Sequence, residues 1–473
     1  MRELSPIVAG RRTGGTEIAG IRSPHDGSVV SRVGRGGPQE LEAAAAAAVR
    51  AAPELAAMPP HQRAAILERA RDAVAARRQE LAEAIRDEAG KPISLALVEA
   101  DRCADTLAEA AAVARHPEVE AVDLGGFRSG EGRLALVRRV PVGPVLAITP
   151  FNFPLNLVAH KLGPAVAAGC PVVLKPASQT PSPALLLGEI LLEAGLPPGA
   201  LSVVPSRAAD AEPLVEDHRF ALVTFTGSMD VGWRIKRLAW RRRVALELGG
   251  NAAVVVEPDA GDPEAIARRI AGAAYGYAGQ SCISVQRILV QETVYPQMRD
   301  ALVAATEAIR TGDPADPEVV CGPLIDAANA DRIASWIAGA VAAGGRLLAG
   351  GRREGNVVAP TLLEEVPPDQ PVVAEEVFGP VAVLDAYEDL EQALLMVNDS
   401  RYGLQAGIFT SDLGAVQRAW EVLEVGGIVH GDVPTWRTDP MPYGGVKASG
   451  VGREGPRWAY REMTEERMLV LRR

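Results

Sequence analysis

The stretch GPVLAITPFNFPLNLVAHKLGPAVAAGCPVVLKPA, residues 143–177, decides the fold class. Two short apolar runs, GPVLAITP and PVVLKPA, flank a segment with helical spacing, LVAHKLGPAVAAG. A strand, a helix and a second strand in this order are typical of a crossover between parallel strands. The alternation continues with SPALLLGEILLEAG, LSVVPS, ALVTFTG and VALELGG. The sequence therefore predicts an α/β domain with a doubly wound parallel sheet.

A second series of strands and helices begins at about residue 251. It contains AAVVVE, the helical segment DPEAIARRIAGAAYGYA, a loop with one cysteine, the strand RILVQE and further strand–helix units to about residue 428. This series predicts a second α/β domain. Two domains suit a chain of 473 residues, because one domain usually holds about 100–200.

The other segments surround these two domains. Residues 1–37 are rich in glycine and are expected to be irregular, whereas residues 38–114 have the alanine-rich faces and charge spacing of helices. Residues 118–140 predict two strands around glycine-rich turns, a hairpin that leaves the main body. The tail TEERMLVLRR predicts a short apolar strand, which pairs with this hairpin or with another subunit.

Composition excludes several classes of protein. Hydrophobic residues make up 48% and charged residues 23%, as in ordinary globular proteins, and the net charge of −11 argues against nucleic-acid and anionic-membrane partners. The four cysteines have no metal-ligand spacing, so neither a disulfide framework nor a metal site is expected. The sequence shows no apolar leader and no run of about 20 apolar residues, so we expect a cytoplasmic enzyme.

Two glycine-containing motifs are candidate phosphate sites. GVGREG, residues 450–455, matches G-x-G-x-x-G, but no βαβ unit surrounds it, so we interpret it as a glycine-rich turn. VTFTGSMDVG, residues 223–232, has a better context, because a strand ends at Thr226–Gly227 and Ser228 takes the N-cap position of a helix. Free amide groups at a helix start bind phosphate, although an ordinary capped helix has the same pattern.

Cys282, in YAGQSCISVQR (277–287), is a candidate nucleophile. Its polar flanks indicate a loop that presents a thiolate, whereas Cys170 fits a buried structural cysteine. Glu247, in LELGGN, ends an apolar strand, where burial raises a carboxyl pKa toward use as a general base. Asn152, in AITPFNFPLN, follows another strand end and offers an amide to a developing oxyanion. Strand ends line clefts in α/β sheets, so these residues predict one site.

Seven motifs in order resemble the aldehyde dehydrogenase superfamily along essentially the whole chain: TPFNFPLN, VVLKPAS, FTGSMDVG, LELGGN, GQSCIS, EEVFGP and PYGGVKASGVGREG. The resemblance implies two doubly wound α/β domains, a Rossmann-variant cofactor domain (1–117 and 141–246) and a catalytic domain (247–445). It also implies a small β oligomerisation arm, formed by the hairpin 118–140 and completed by the C-terminal segment 446–473. Such proteins form homodimers or homotetramers, so a homo-oligomer is expected.

The resemblance also implies a reaction, the oxidation of a small aldehyde to its carboxylic acid with NAD(P). Cys282 is implied to attack the aldehyde as a thiolate and to pass through a thiohemiacetal and a thioester. Asn152 and the backbone N–H of Cys282 are implied to hold the oxyanion. Glu247 is implied to activate the water that releases the acid, which the chemistry needs after a soft nucleophile has reacted.

Cofactor contacts follow from the same resemblance. Lys175 is implied to hold the adenosine ribose, Ser228 the pyrophosphate, and Glu376 with Phe378 the nicotinamide ribose and ring. The other implied contacts are Thr149, Pro150, Gly227, Gly232 and Leu248. Many NAD-preferring relatives have a glutamate three residues after the lysine, which repels a 2′-phosphate. Ser178 stands there in this chain, so we expect NADP to be accepted or preferred.

The substrate is less defined by the sequence. The chain is most similar to the branch with lactaldehyde, succinate-semialdehyde, non-phosphorylating glyceraldehyde-3-phosphate and phosphonoaldehyde dehydrogenases. Anion-binding members often have an arginine directly before the cysteine; Ser281 here weakens the case for a phosphorylated or strongly anionic substrate, a phosphono-aldehyde included. Phe153, Ser281 and Trp436 are predicted pocket residues, and Arg437 and Arg102 are candidate anion contacts, with surface salt bridges as the alternative. A short hydroxy-aldehyde or semialdehyde is expected.

Three competing functions are weighed against this one. A cysteine hydrolase would use Gln280 as an oxyanion donor and needs a histidine, for which only His430 follows Cys282. A non-catalytic scaffold would have lost the cysteine or the glutamate, and neither is lost. An acylating dehydrogenase, which passes its thioester to CoA or phosphate, commonly lacks the glutamate, so Glu247 favours hydrolysis.

Overall fold

A computed structural model of the chain describes residues 1–472. The strands are, in chain order, β1 Arg2–Leu4, β2 Ile7–Val8, β3 Arg11–Arg12, β4 Glu17–Arg22, β5 Val29–Arg35, β6 Val119–Asp123, β7 Arg133–Pro141, β8 Val145–Ile148, β9 Val172–Lys175, β10 Leu201–Val203, β11 Leu222–Thr226, β12 Arg243–Glu247, β13 Ala253–Val256, β14 Arg287–Gln291, β15 Arg346–Ala349, β16 Arg353–Glu354, β17 Val357–Val358, β18 Thr361–Glu364, β19 Val381–Tyr387, β20 Gln405–Phe409, β21 Gly427–His430, β22 Gly450–Val451 and β23 Thr464–Arg472.

The α-helices connect these strands and cover both main sheets. They are α1 Pro38–Ala57, α2 Pro60–Ala76, α3 Arg78–Ala89, α4 Ile93–Arg115, α5 Asn156–Ala168, α6 Ser182–Glu193, α7 Ala208–Glu216, α8 Met229–Leu238, α9 Pro263–Tyr275, α10 Tyr295–Glu307, α11 Ala327–Ala342, α12 Pro371–Ala374, α13 Leu390–Asn398, α14 Leu413–Val422 and α15 Pro456–Glu462.

The crossover at residues 143–177 forms as predicted. β8 and β9 are parallel neighbours, and α5 connects them. The helix ends because Gly169 takes a positive φ of 85°, which glycine tolerates without a steric penalty. A Cβ at this position would lie 3.0 Å from the carbonyl oxygen of Leu55, so close approach of α1 also favours glycine.

The first main sheet has eight strands in the order β22-β12-β11-β8-β9-β10-β2-β3. Its central strands, β12 to β10, are parallel, so their carboxyl ends lie at one edge. The register places Thr226 beside Glu247 and Phe225 beside Ile148. This edge is therefore where the residues that follow β8, β11 and β12 meet.

The second main sheet has seven strands in the order β15-β18-β19-β14-β13-β20-β21, parallel except for β15 at its edge. β13 is buried along all four residues, AVVV, as expected for a parallel strand covered on both faces. α9 begins at Asp262, whose carboxylate accepts from the N–H of Glu264. The loop with Cys282 connects the end of this helix to β14.

The arm is a separate three-stranded sheet in the order β23-β7-β6. The hairpin and the C-terminal strand pair antiparallel over nine residues of β7, so the tail pairs with the hairpin of its own chain. Apolar side chains of β23 remain exposed, with Met468 61% and Leu469 57% accessible.

The expectation of irregular structure at residues 1–37 is wrong. β1, β5 and β4 form a three-stranded sheet there, and β2 and β3 extend the first main sheet. Ile7, Ile21 and Val33 of these strands are buried in the core, so burial of a few apolar side chains outweighs the glycine content. In residues 1–472, none of the helices has the length and apolarity that a membrane crossing requires.

Candidate active site

A cavity of about 610 Å³ lies at the carboxyl edge of the first sheet, against the loop that carries Cys282. Its wall brings together Asn152, Glu247 and Cys282, three residues that are 130 positions apart at their extremes. Asn152 follows β8, and Glu247 ends β12, two strands of the same parallel sheet. The cavity therefore has one wall from each α/β layer and holds all three predicted catalytic residues.

The backbone before Cys282 is held in an unusual conformation. Tyr277 and Ala278 have positive φ angles of 54°, and Gly279 has 65°. The side chain of Gln280 fixes the turn, because its Nε2 donates to the carbonyl oxygens of Tyr277 and Pro323 at 3.3 Å. Strained turns of this kind persist where surrounding contacts hold them, and they often present functional side chains.

The same geometry argues against the cysteine hydrolase. The Oε1 of Gln280 accepts from the N–H of Ile325 at 2.9 Å, so this amide has a structural role. His430 lies on β21 with its Nε2 2.9 Å from the carbonyl oxygen of Thr410, away from the cavity wall. Neither residue is arranged to act on a substrate at Cys282.

Cys282 is half-buried, and its Sγ lies 3.0 Å from the hydroxyl oxygen of Tyr443. Burial raises the pKa of this thiol to about 12, and the hydrogen bond from Tyr443 opposes the shift. The other cysteines, Cys103, Cys170 and Cys321, are fully buried. Cys282 is therefore the cysteine that a small molecule in the cavity reaches.

Glu247 is buried, and its Oε2 has no hydrogen-bond partner among residues 1–472. Burial, followed by the nearby negative charge of Glu454, raises the pKa of Glu247 well above its ordinary value. Burial would also raise the pKa of Glu454, but the neighbouring basic groups, first His160 and then Arg437 at 2.9 Å, lower it to about 2. The pKa values of Glu247 and Glu454 are thus shifted in opposite directions, which makes Glu247 the better proton acceptor of the two.

Asn152 connects its loop to the loop that carries the thiol. Its Nδ2 donates to the carbonyl oxygen of Gln280 at 3.0 Å, and its Oδ1 finds no partner within the described part of the chain. An amide nitrogen has two N–H groups, so one remains for a ligand in the cavity. The contact also fixes where that donor lies relative to Cys282.

Several predicted cofactor residues lie at the same edge of the first sheet. Pro150, Gly227, Ser228 and Leu248 line the cavity. Ser228 is the N-cap residue of α8, and its hydroxyl makes no capping bond to its own helix. Gly232, on the first turn, packs so closely on Leu248 that a Cβ would lie 2.3 Å from its Cδ2. The backbone N–H groups at the start of α8 therefore lie next to the cavity without a side-chain cap.

Thr149, Lys175 and Ser178 lie further along this edge, outside the cavity wall. Lys175 ends β9, and burial lowers the pKa of its ammonium group to about 8. The Oγ1 of Thr149 is buried without a hydrogen-bond partner in residues 1–472, and the hydroxyls of Ser206 and Thr226 are in the same situation. Buried unpaired hydroxyls at adjacent strand ends are unusual in a folded protein and indicate a place for a polar ligand.

Glu376 and Phe378 line the cavity on the side of the second sheet. The Oε1 of Glu376 accepts from the N–H of Gly250 at 3.0 Å, and burial raises its pKa to about 7. Phe378 has a positive φ of 48°, and its ring meets that of Phe151 edge to face at 5.9 Å. Contacts with Gly250 and Phe151 therefore hold these two side chains in the cavity wall.

The predicted substrate residues divide into two groups. Phe153, Ser281 and Arg437 line the cavity, and Arg102 joins them from α4. Trp436 does not line it and is 45% exposed. The surface salt-bridge alternative for Arg437 is wrong, because its ion pair with Glu454 is buried.

Tyr443 and Glu454 are among the residues of the site that sequence reasoning missed. Both line the cavity, and both belong to the motif PYGGVKASGVGREG. A buried bridge joins their backbones, with the N–H of Tyr443 donating to the carbonyl oxygen of Glu454 at 2.9 Å and the reverse bond at 2.6 Å. The glycine spacing of the motif was a signal for close packing, but it carried no information on which side chains face the thiol.

Known proteins of one family are similar to this chain over nearly its whole length. Residues 12–469 match the model of the aldehyde dehydrogenase family. A 3-sulfolactaldehyde dehydrogenase from Priestia aryabhattai is 45% identical over 413 residues, 87% of this chain and 86% of the relative. A crystal structure of aldehyde dehydrogenase 21 from Physcomitrella patens, in complex with the reaction product succinate, superposes with a TM-score of 0.98 at 40% identity, covering 100% of this chain and 98% of the other.

A second solved structure is the NADP-dependent glyceraldehyde-3-phosphate dehydrogenase from Bacillus halodurans, complexed with NADP. It has a TM-score of 0.96 at 34% identity and covers 99% of both chains. These matches confirm the predicted fold and the predicted enzyme class, an NAD(P)-dependent aldehyde dehydrogenase. The chain belongs to the aldehyde dehydrogenase family.

Proposed function

We propose that this chain oxidises a short aldehyde bearing an anionic group to the corresponding acid, with Cys282 as nucleophile, Glu247 as general base and Asn152 as oxyanion donor. The observation that carries the assignment is the convergence of the three side chains on one cavity from three separate segments. Oxidation of an aldehyde through a thioester needs a nucleophile, an oxyanion donor and a later general base within reach of the carbonyl carbon. The cavity wall contains a residue for each of these roles.

The roles follow from the chemistry of each group. The Cys282 thiolate attacks the aldehyde carbon and forms a C–S bond, while the carbonyl oxygen takes the electron pair and accepts from Asn152. The nicotinamide, when bound, supplies the acceptor for the hydride that leaves this carbon. Glu247 then takes a proton from water, the water oxygen adds to the thioester carbon, and the C–S bond breaks to return the electron pair to sulfur.

The residues at the sheet edge fit a nicotinamide dinucleotide. The unpaired hydroxyls of Thr149, Ser206 and Thr226 offer donors to sugar and phosphate oxygens, and Lys175 offers an ammonium group. The free start of α8 at Ser228 offers backbone amides to a pyrophosphate. We propose that the first sheet, with residues 1–117 and 141–246, holds the cofactor, and that the second, within 247–445, carries the nucleophile.

NADP is expected to be used at least as well as NAD. Ser178 is neutral and half-buried, and its hydroxyl donates to the carbonyl oxygen of Ser206 at 3.4 Å, so no carboxylate of this residue opposes a 2′-phosphate. Ser178→Glu should lower kcat/KM for NADP by about tenfold or more through charge repulsion, and leave that for NAD nearly unchanged. Steady-state rates with both cofactors measure the ratio.

Ser178→Gln is the matched control, because it adds the same bulk without charge. An equal loss of NADP activity in both variants would mean that size, not charge, is responsible. A wild-type preference for NAD of more than about tenfold would contradict the cofactor proposal.

The anionic substrate is supported by two arginines in the cavity wall, Arg437, which is buried, and Arg102, whose side chain is 26% exposed. Within residues 1–472, the Nη2 of Arg102 and the Nε of Arg437 are buried and have no hydrogen-bond partner. The Nη2 of Arg102 forms a long ion pair with the Oδ1 of Asp439, at 3.7 Å. Buried donors without partners are costly, and a carboxylate, sulfonate or phosphate on the substrate would satisfy them. The relatives named for sulfolactaldehyde and crystallised with succinate have anions of this kind.

Arg102→Met should lower kcat/KM for sulfoacetaldehyde and succinate semialdehyde by about 10- to 100-fold, the range for loss of a charge-assisted hydrogen bond. The value for propionaldehyde should change little. Arg115→Met is the control, because Arg115 lies on the same helix and forms an exposed ion pair with Glu68. Equal losses for charged and neutral aldehydes, or faster turnover of long-chain or aromatic aldehydes in the wild type, would contradict this substrate class.

We also propose that the exposed apolar strand β23 pairs with a second copy of the chain, giving a homodimer or homotetramer. Exposed apolar strands at a sheet edge are available for pairing, and Met468 and Leu469 offer side chains for it. A mass by light scattering close to that of one chain, 49.7 kDa, would contradict the proposal.

A further inference from the structure

Tyr443 is the polar side chain in direct contact with the thiol of Cys282. Its hydroxyl oxygen lies 3.0 Å from Sγ, and its side chain is 4% exposed. A thiolate has no proton to donate, so in that state the tyrosine O–H is the donor of this hydrogen bond. Hydrogen bonds to a charged acceptor are stronger than neutral ones, so the contact favours the thiolate over the thiol.

The position of the hydroxyl is fixed by a closed set of contacts. Arg437 lies over the ring of Tyr443, with its guanidinium carbon 3.7 Å from the ring centroid. Arg437 donates to the Oε1 of Glu454 at 2.9 Å, and Glu454 exchanges two backbone hydrogen bonds with Tyr443. Each of the three residues is therefore held by the other two, which leaves the hydroxyl little freedom to turn from the sulfur.

We propose that Tyr443 is a further catalytic residue, whose hydroxyl donates a hydrogen bond to the Cys282 thiolate before attack and to the same sulfur when the thioester is hydrolysed. The proposal rests on Cys282 as the nucleophile. No proton is transferred from Tyr443. In the first step the sulfur electron pair forms the C–S bond, and in the last step that bond breaks and the pair returns to the sulfur, where the same donor stabilises it.

The charged and titratable groups around the thiol affect the stability of the Cys282 thiolate, to which the Tyr443 hydroxyl donates. Glu376 and Glu247 face Cys282 from the two sheets and disfavour a negative sulfur, whereas Arg437 favours it. Burial, and then the charge of Cys282, raise the pKa of Tyr443 well above its ordinary value, so the hydroxyl keeps its proton through the physiological range. The hydroxyl is therefore available as a hydrogen-bond donor to the sulfur.

The test is the pH dependence of alkylation of Cys282 by iodoacetamide, since this reaction reports the thiolate without turnover. In Tyr443→Phe the apparent thiol pKa should rise by about one unit, so that alkylation at a fixed pH below it falls about tenfold. The pH profile of kcat/KM should move in the same direction.

Tyr275→Phe is the matched control. Tyr275 is buried in the second domain, and its hydroxyl donates to the carbonyl oxygen of Thr361, away from the cavity. Its alkylation profile should coincide with that of the wild type. A Tyr443→Phe profile that also coincides with the wild type would overturn the proposal.

Two further measurements keep the test decisive. Incorporation of 3,5-difluorotyrosine at position 443 preserves the ring and strengthens the donor, so the thiol pKa should fall; an unchanged or raised value would overturn the proposal. Cys282→Ala should abolish the alkylation signal. If turnover survives in Cys282→Ala, the nucleophile assignment itself fails, a result that is distinct from an unchanged profile in Tyr443→Phe.

Discussion

Cys282→Ala should remove aldehyde oxidation, with a loss in kcat of at least about 10³-fold and no compensating change in cofactor affinity. The physical reason is that the thioester route begins with a bond to sulfur, and alanine offers no atom that can form it. Reduced-nicotinamide absorbance with NADP or NAD and a short anionic aldehyde measures the activity. Calorimetry, which measures cofactor binding, shows whether the cavity is intact.

Cys321→Ala is the appropriate control for this experiment. Cys321 is fully buried in the second domain and lies outside the cavity wall, so its removal should leave the rate close to that of the wild type. Cys282→Ala with normal turnover would disprove the mechanism. Loss of both turnover and cofactor binding would instead report a folding defect, which thermal unfolding distinguishes.

Glu247→Gln should separate the two halves of the reaction. Attack and hydride removal do not require this carboxylate, so one equivalent of reduced cofactor per site should form in a burst. Hydrolysis of the thioester should then slow by about 10²- to 10⁴-fold, the usual contribution of a general base. Stopped-flow absorbance measures both phases, and mass spectrometry of the quenched protein should detect an acyl group on Cys282. A variant with full steady-state turnover would rule out Glu247 as the base.

The raised pKa of Glu247 gives this step a definite pH dependence. The base must be ionised, so the rate of thioester hydrolysis should increase as the pH rises through the pKa of Glu247, and this rise should be absent in Glu247→Gln. The effect on stability has the opposite sign. The folded state binds this proton more tightly than the unfolded chain, so stability from this group is lost as the pH rises. The unfolding temperature of the wild type should therefore fall relative to that of Glu247→Gln as the pH rises through the pKa of Glu247.

Much of the fold was predictable because strands and helices follow from local periodicity. The alternation in residues 143–177 gave β8, α5 and β9, and the motif VTFTGSMDVG gave β11, the N-cap at Ser228 and α8. The segment 1–37 was not predicted, because its strands are short and lack a regular apolar alternation. Ile7–Val8 becomes a strand through two pairings, one with β3 two residues further on and one with β10 far along the chain.

The candidate catalytic residues were predictable for a related reason. Asn152 and Glu247 come directly after or at the end of apolar strands, and parallel strands bring their carboxyl ends to one edge. The polar loop around Cys282 was equally visible in the sequence. These features are local, and the roles that the resemblance implied could be attached to them residue by residue.

The sequence alone therefore determined the α/β class, the order of the elements and three residues of the site, because these depend on periodicity and on strand ends. Tertiary structure decided which side chains share the cavity. Trp436 and Arg437 are neighbours in the chain, yet the first is exposed and the second is buried against Glu454 and Tyr443. In an irregular loop no periodicity fixes the direction of a side chain, so only packing against distant residues brings Arg437 to the ring of Tyr443 and the hydroxyl of Tyr443 to the sulfur of Cys282.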